Sequence, residues 1–271
     1  MSTLVPPPAD SLSQVQRIYR LYRALVASSP LRGDAGLGGK LLFAGRISSS
    51  GRDLLYASNV AGAASLAASA DPDQQRMAMR DGVVDFVVTS LAEALRILKN
   101  EIRKGQAVSV AVTAEPRRVV EEMLDRGVQP DLLPPRAWPD AETALAPGDW
   151  ECFLDQGSTA VTASGAENFP MVSWTVNSQH ARWLPRLDLC VQSTLPPDDL
   201  ERHRWLRLSP RYLGRLAQRV HAVSMSPSEL ERFRDLAAVL VKEKAAKEMT
   251  MAVAETEPVV VRIQPIVEPL R

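Results

Sequence analysis

Cysteine is nearly missing from this chain: Cys152 and Cys190 are the two thiols in 271 residues. Two are too few for a disulfide framework, and no CxxC pair exists to hold zinc or run thiol redox chemistry. Both are read as free thiols of a reducing compartment. Net charge is missing as well, because 32 Lys and Arg balance 32 Asp and Glu. A balanced chain has no electrostatic pull toward nucleic acid or an anionic membrane, so neither is expected as a partner. No apolar run approaches the ~18 residues needed to cross a bilayer. The opening MSTLVPPPADS lacks the basic-then-apolar order of a signal peptide, and a cytoplasmic location is expected. The HExxH, GxSxG and P-loop patterns are absent, which removes the usual signatures of zinc proteases, serine hydrolases and P-loop nucleotide enzymes. Histidine is scarce too: His180, His203 and His221 fall in no metal-ligand spacing and no triad pattern, so no metal is expected.

What is present is alternation. Composition is that of a globular protein, 45% hydrophobic and 24% charged, long enough for one large or two modest domains. Pro6, Pro7 and Pro8 mark an extended tail. Val15, Ile18, Tyr22, Leu25 and Val26 fall at helical spacing and predict a helix over 12–26. Lys40 to Ala44 reads as a buried strand, followed by Gly45 and a polar turn from Arg46 to Arg52. A helix of small residues is predicted from Leu54 to Ala68. Val83 to Thr89 reads as a second buried strand. Ser90 and Glu93 form a capping-box pair for a helix carrying Leu91, Ala94, Leu98 and Ile102. Ala107 to Val112 is a third strand, and Pro116 to Arg126 a helix closed by Gly127. Strands alternating with helices predict an α/β fold, a doubly wound parallel sheet of Rossmann-like type, over 30–149. After Asp131 the texture changes, with Pro134, Pro135, Pro139 and Pro147 breaking the pattern. Residues 150–256 read as a flanking α+β region. It has short strands at Ala160–Thr162 and Met171–Trp174 and helices at Asp198–Leu206 and Ser228–Lys247. The tail 257–271, with prolines between valines and isoleucines, is extended and suits either an edge strand or docking on the surface. Residues 1–29 are the N-terminal tail and opening helix.

Several segments then carry a resemblance. Gly39-Lys40-Leu41-Leu42-Phe43-Ala44-Gly45 is followed by Val60-Ala61-Gly62-Ala63. Ala107-Val108-Ser109-Val110-Ala111-Val112 leads to Leu124-Asp125-Arg126-Gly127-Val128-Gln129-Pro130-Asp131. Further on, Pro197-Asp198-Asp199 precedes His203-Arg204-Trp205-Leu206. In order and spacing these resemble the urocanase (urocanate hydratase) family, continuously over 14–133 with a second anchor at 197–206. The chain looks like a shortened relative, with most of the shortfall between Asp131 and Pro197. The resemblance implies an NAD-binding domain, a homodimer, a place in histidine metabolism, and a hydro-lyase reaction that adds water to urocanate with NAD as electrophile.

The ligand-facing segments depart from the family pattern. Where the family has a glycine-rich turn against the NAD pyrophosphate, this chain keeps Gly45 and Gly51 around Ile47, Ser48, Ser49 and Ser50. Side chains at Ile47 and Arg52 are expected to crowd a phosphate there. Gly45, Ser48, Ser49, Ser50 and Gly51 remain the candidates for holding a phosphate or other anion at a helix start; the alternative is a plain strand-to-helix turn. The family's acid after the second strand aligns with Ser69 and its next acid with Asp71, which either receives a ribose or caps the following turn. The family's GNAAE turn reads Ala114-Glu115-Pro116-Arg117-Arg118, and its DQTSAHDP segment reads Pro135-Arg136-Ala137-Trp138-Pro139-Asp140. Cys190 aligns with nothing catalytic and reads as a buried structural thiol. His203 reads as a packed histidine. His180, beside Arg182 and Trp183, is the one candidate for binding a carboxylate substrate, together with Arg182. No catalytic residue is assigned. The expectation is a urocanase-like pseudoenzyme, without urocanate hydratase activity and without a cofactor, acting as a binding, regulatory or assembly protein. The alternative is an active urocanate hydratase-like lyase, or an NAD- or nucleotide-binding enzyme with a rebuilt turn.

Overall fold

The computed structural model describes residues 9–29, 31, 33, 36–138, 143–162, 169–176, 182–218, 220–250 and 261–265. The chain divides into two compact units, one of Arg17–Gly165 with Arg211–Gly214, the other of Met1–Gln16, Ala166–Pro210 and Arg215–Arg271. Helix α1 runs Ala9–Ser28.

The first unit alternates strand and helix: β1 Leu41–Arg46, α2 Ser49–Ala61, β2 Ala64–Ala68, α3 Pro72–Arg80, β3 Phe86–Val88, α4 Leu91–Lys104, β4 Val108–Val112, α5 Pro116–Asp125, β5 Leu132–Leu133, α6 Pro147–Asp155 and β6 Thr159–Ala160. The six strands form one parallel sheet in the order β3-β4-β2-β1-β5-β6. This is the expected doubly wound α/β architecture. From β1 the chain adds β2 beside it, places β3 at the edge and inserts β4 between them, then returns by α5 to add β5 on the other side of β1. The order reverses between β1 and β5, and the carboxyl ends of those strands form the switch point where such sheets receive ligands.

β1, β2 and β4 are apolar at nearly every position because helices cover both faces. Phe43, Leu66, Val110, Val120, Met123 and Phe153 belong to one buried cluster between sheet and helices. Each large side chain in it contributes about 1.5–3 kcal/mol by leaving water. Several polar groups in this interior are neutral and bond to one another. The Ser65 and Ser109 hydroxyls meet at 2.9 Å, and Ser109 Oγ donates to Asn59 Oδ1 at 2.6 Å.

Three local readings are corrected. The small-residue helix predicted over 54–68 is two elements. Helix α2 stops at Ala61 because Gly62 turns left-handed at φ 96°, and Ala64–Ala68 is a central strand between β1 and β4. Alanine is a helix former by propensity, but here strand pairing on both sides overrides it. The strand predicted over 83–89 is shorter, Phe86–Val88, and is the sheet edge, not a buried strand: Phe86 is 47% exposed. The polar turn after β1 is also shorter, since Arg46 ends the strand and Ser49 begins the helix. The capping pair is observed with one shift. Ser90 Oγ accepts from the Glu93 amide, while the Glu93 carboxylate accepts from the amide and hydroxyl of Thr89. Those bonds hold the Glu93 carboxyl below its ordinary value.

The second unit has β7 Met171–Val176, α7 Leu184–Thr194, α8 Leu200–Tyr212, β8 His221–Ser224, α9 Pro227–Thr250 and β9 Val261–Pro265. Its sheet is antiparallel in the order β8-β7-β9. The proline-spaced tail supplies an edge strand, with Pro265 opposite Val172 at its end. Trp174 and Phe233 pack edge to face with ring centres 5.4 Å apart.

Candidate functional site at the carboxyl edge of the parallel sheet

The turn from β1 into α2 is built by two glycines for two reasons. Gly45 sits at φ 76°, and the β1–β2 register slips there: Phe43 faces Leu66 while Gly45 faces Ala67. A positive φ inside a strand is cheap for glycine and strained for other residues. Gly51 lies in the first turn of α2, where a Cβ would come within 1.9 Å of the Arg46 carbonyl oxygen. Glycine is therefore needed for close approach of helix to strand. Ser48 is the N-cap, its hydroxyl accepting from the Gly51 amide at 3.1 Å. Ser49 is exposed and Ser50 half-buried. Among the described residues no acceptor meets the amides of Ser49 and Ser50, which carry the positive end of the helix dipole.

The expected crowding of this turn is overturned. Ile47 is 2% exposed and points into the core, with its amide on the Ala68 carbonyl. Arg52 turns away to Asp81 at 2.6 Å. Tyr56, whose hydroxyl donates to the Asp81 carbonyl, is pushed above its ordinary value by burial.

Past β2 and β4, where a ribose would lie in a Rossmann-like fold, side chains bond to one another. Ser69 Oγ donates to Gln74 Oε1 at 3.0 Å, Gln75 donates its amide to the Ser69 carbonyl, and Thr113 Oγ1 donates to Gln75 Oε1 at 3.2 Å. Arg46, at the end of β1, reaches across to Glu115 at 3.5 Å. Asp71 accepts from the amides of Asp73 and Gln74 at 2.8 and 3.4 Å, and so caps α3. The cap uses Oδ1 of the exposed Asp71 carboxylate. The unpaired amides of Ser49 and Ser50 are the groups here that suit a phosphate. Beyond β5, Arg136 pairs with Glu151 at 2.9 Å and lies over the Trp150 ring.

Of the remaining sequence candidates, His180 lies outside the described residues, and Arg182 is exposed. Cys190 is half-buried, less enclosed than expected, and burial pushes its thiol up. His203 sets its ring on the Pro196 carbonyl at 2.9 Å. Sequence reasoning missed the arrangement around His221. That side chain is buried, with Nδ1 2.8 Å from both carboxylate oxygens of Asp188, and Trp174 Nε1 donates to the same carboxylate at 3.0 Å. The three residues lie far apart in sequence and share no motif.

Other motif residues that carry the resemblance sit elsewhere. Lys40 pairs with Asp131 at 2.8 Å, and the Asp131 carboxylate accepts from the Leu41 amide at 2.8 Å. The Asp131 amide returns a bond to the Leu41 carbonyl. This clasp joins β1 to β5 at their amino ends, opposite the ligand edge. Trp205 donates to the Ala222 carbonyl at 2.7 Å inside the second unit. A broad depression of about 890 Å3 against β3 and α4, lined by Asp85, Phe86, Arg96, Ile97, Asn100 and Glu101, also lies away from the switch point. Among the described residues no helix is long and apolar enough to cross a membrane, and no cluster of three His, Cys, Asp or Glu could hold a metal ion. Residues 22–137 match the family model described as the urocanase Rossmann-like domain.

Proposed function

We propose that the chain, whose residues 22–137 match the urocanase Rossmann-like domain, uses this region as a scaffold, without urocanate hydratase activity, in a binding, regulatory or assembly role. The observation behind this reading is the internal pairing of the carboxyl edge. Ser69, Gln74, Gln75, Thr113, Arg46 and Glu115 bond to one another at the positions that would receive a dinucleotide. Hydration of urocanate needs a held cofactor, an acid and base, and a clamp for the substrate carboxylate. None of the described residues at this edge is a histidine or a cysteine. The reading extends to a cytoplasmic homodimer, in line with the family. Purified full-length protein is expected to leave urocanate absorbance unchanged with added NAD; turnover would end the reading.

A second reading rests on a separate observation, the accessible amides of Ser49 and Ser50 at the start of α2. They suit the phosphate of a nucleotide held with a rebuilt ribose contact. NAD or NADP raising the melting temperature by several degrees would favour it over a scaffold role, and a flat response to both would remove it.

A further inference from the structure

Strand β3, Phe86–Val88, ends the parallel sheet on one side. Among the described residues it pairs with β4 alone, so its outer row of amides and carbonyls faces away from the sheet. Edge strands are commonly protected by lysine, proline or a bulge. Phe86-Val87-Val88 carries none of these, and its register with β4 runs without a shift. Phe86 is half exposed. Val88 packs against the buried cluster that includes Leu91, Ala94 and Leu98 of α4. Strand alternation sends Phe86 to the same face, where it lines the depression with Ile97 of α4. The charges lining that depression are ordered along the strand. Helix α4 leaves the carboxyl end of β3 and returns toward the amino end of β4, so it runs against both strands. Arg96 therefore lies nearer the carboxyl end of β3 than Glu101 does, by about 7.5 Å along the helix. Asp85 lies at the amino end of the strand. Glu101 is taken by Lys104 at 2.7 Å. Arg96 attracts Glu93 from a distance, but Glu93 gives its carboxylate to Thr89, and Arg96 has no ion pair among the described residues. Asp85 uses one oxygen, Oδ2, on the Ser109 amide. The edge thus offers an anion at one end and an unpaired cation toward the other.

We propose that this edge is where a second copy of the chain docks, β3 against β3 in antiparallel, about a two-fold axis at Val87. The proposal rests on the homodimer reading above and gives that dimer its contact surface. A two-fold contact must be complementary to itself, and this edge is. Centred on Val87, the pairing sets Phe86 opposite the other copy's Val88, apolar against apolar on the face beneath α4. It also turns one copy end for end, so Arg96 of each copy approaches Asp85 of the other. The free strand edges then bond to each other and the two sheets become one. A three-residue strand is a short contact, and Arg96, Ile97 and Asn100 of α4 flank it to complete the surface.

Sedimentation velocity of the full chain over a range of concentrations reads the assembly. A dimer is expected. Phe86→Lys, at a half-exposed position, is expected to leave a monomer with an unchanged circular dichroism spectrum. Arg96→Glu sets like charges together at both ends and is expected to lose the dimer as well. With Cys152→Ser and Cys190→Ser in the background, Val87→Cys is expected to link the two copies on mild oxidation. The axis places that residue opposite itself, at a separation a disulfide can span. A dimer that survives Phe86→Lys, or one that Val87→Cys does not cross-link, would overturn the proposal and leave the homodimer reading standing. A chain that stays monomeric at every concentration, its edge bare or covered by a strand of another protein, would overturn both. Neither result bears on urocanate turnover, which has its own assay.

Discussion

The parallel-sheet unit and the antiparallel unit bury polar groups in opposite ways. In the first, the interior polar side chains are mostly neutral, namely Asn59, Ser65, Ser69, Gln75 and Ser109. Its buried carboxylates, Asp53 and Asp149, reach outward to the half-exposed Arg17 and Arg117. In the second, the interior holds charge on both sides. Arg202 grips Glu229 through two nitrogens at 2.8 and 3.0 Å and Asp199 through a third at 2.6 Å, and His221 meets Asp188. A six-stranded sheet with helices on both faces has enough apolar surface to define itself. A three-stranded sheet has less, and buried ion pairs with strict geometry add specificity to it.

Substitutions can break or sharpen this contrast. Arg202→Met strands Glu229 and Asp199 inside the second unit. It is expected to cost roughly 3–5 kcal/mol, the usual penalty for breaking a buried pair, read by chemical denaturation. A loss below ~1 kcal/mol would mean that the interior charges do not set the units apart. Acid reaches the same pair more gently. Burial raises the Glu229 carboxyl, but bonds from Arg202 and the Ser226 amide outweigh it, and the net value is lowered. Burial lowers Arg202, but its bonds to Glu229 and Asp199 outweigh it, and the net value is raised. A lowered carboxyl contributes stability that is present above the ordinary glutamate range and lost as pH falls below that range through the lowered value. Hydrogen exchange in β8 and α9 is therefore expected to quicken on acidification, and Glu229→Gln to abolish that response.

In the parallel unit the sensitive places are steric. Gly51→Ala places a methyl on the Arg46 carbonyl and is expected to cost roughly 1–3 kcal/mol as overpacking. A melting temperature equal to that of the parent would show that α2 can move off β1. Ser48→Ala is expected to cost about 1 kcal/mol, the usual worth of a helix N-cap. A larger loss would mean that the turn does more than start the helix.

The parallel unit was readable where local signals agree. Gly127 and Ser90 marked helix ends, and the β-branched run 108–112 marked a strand between helices. It was misread where they conflict. Ala64–Ala68 has the composition of a helix and becomes a strand by pairing on both sides. The candidate site was half legible. Gly45 and Gly51 stood out as glycines and both prove indispensable to the turn. Asp71 caps α3 through one carboxylate oxygen. Gln75, which fills the edge after β2, gave no signal, because a glutamine on a helix looks solvent-facing until the neighbouring strand is in place.

From its residues alone the chain determines an alternating α/β core, its resemblance to urocanases, and the glycines of the first turn. These follow from local propensity, periodicity and short-range spacing. Only the tertiary structure decided which polar groups meet. The Lys40–Asp131 clasp, the Ser69–Gln75–Thr113 chain and the Asp188–His221 couple join residues six to ninety-one positions apart. Such pairings depend on strand order and on the depth at which each side chain is buried, and neither is written in any local pattern.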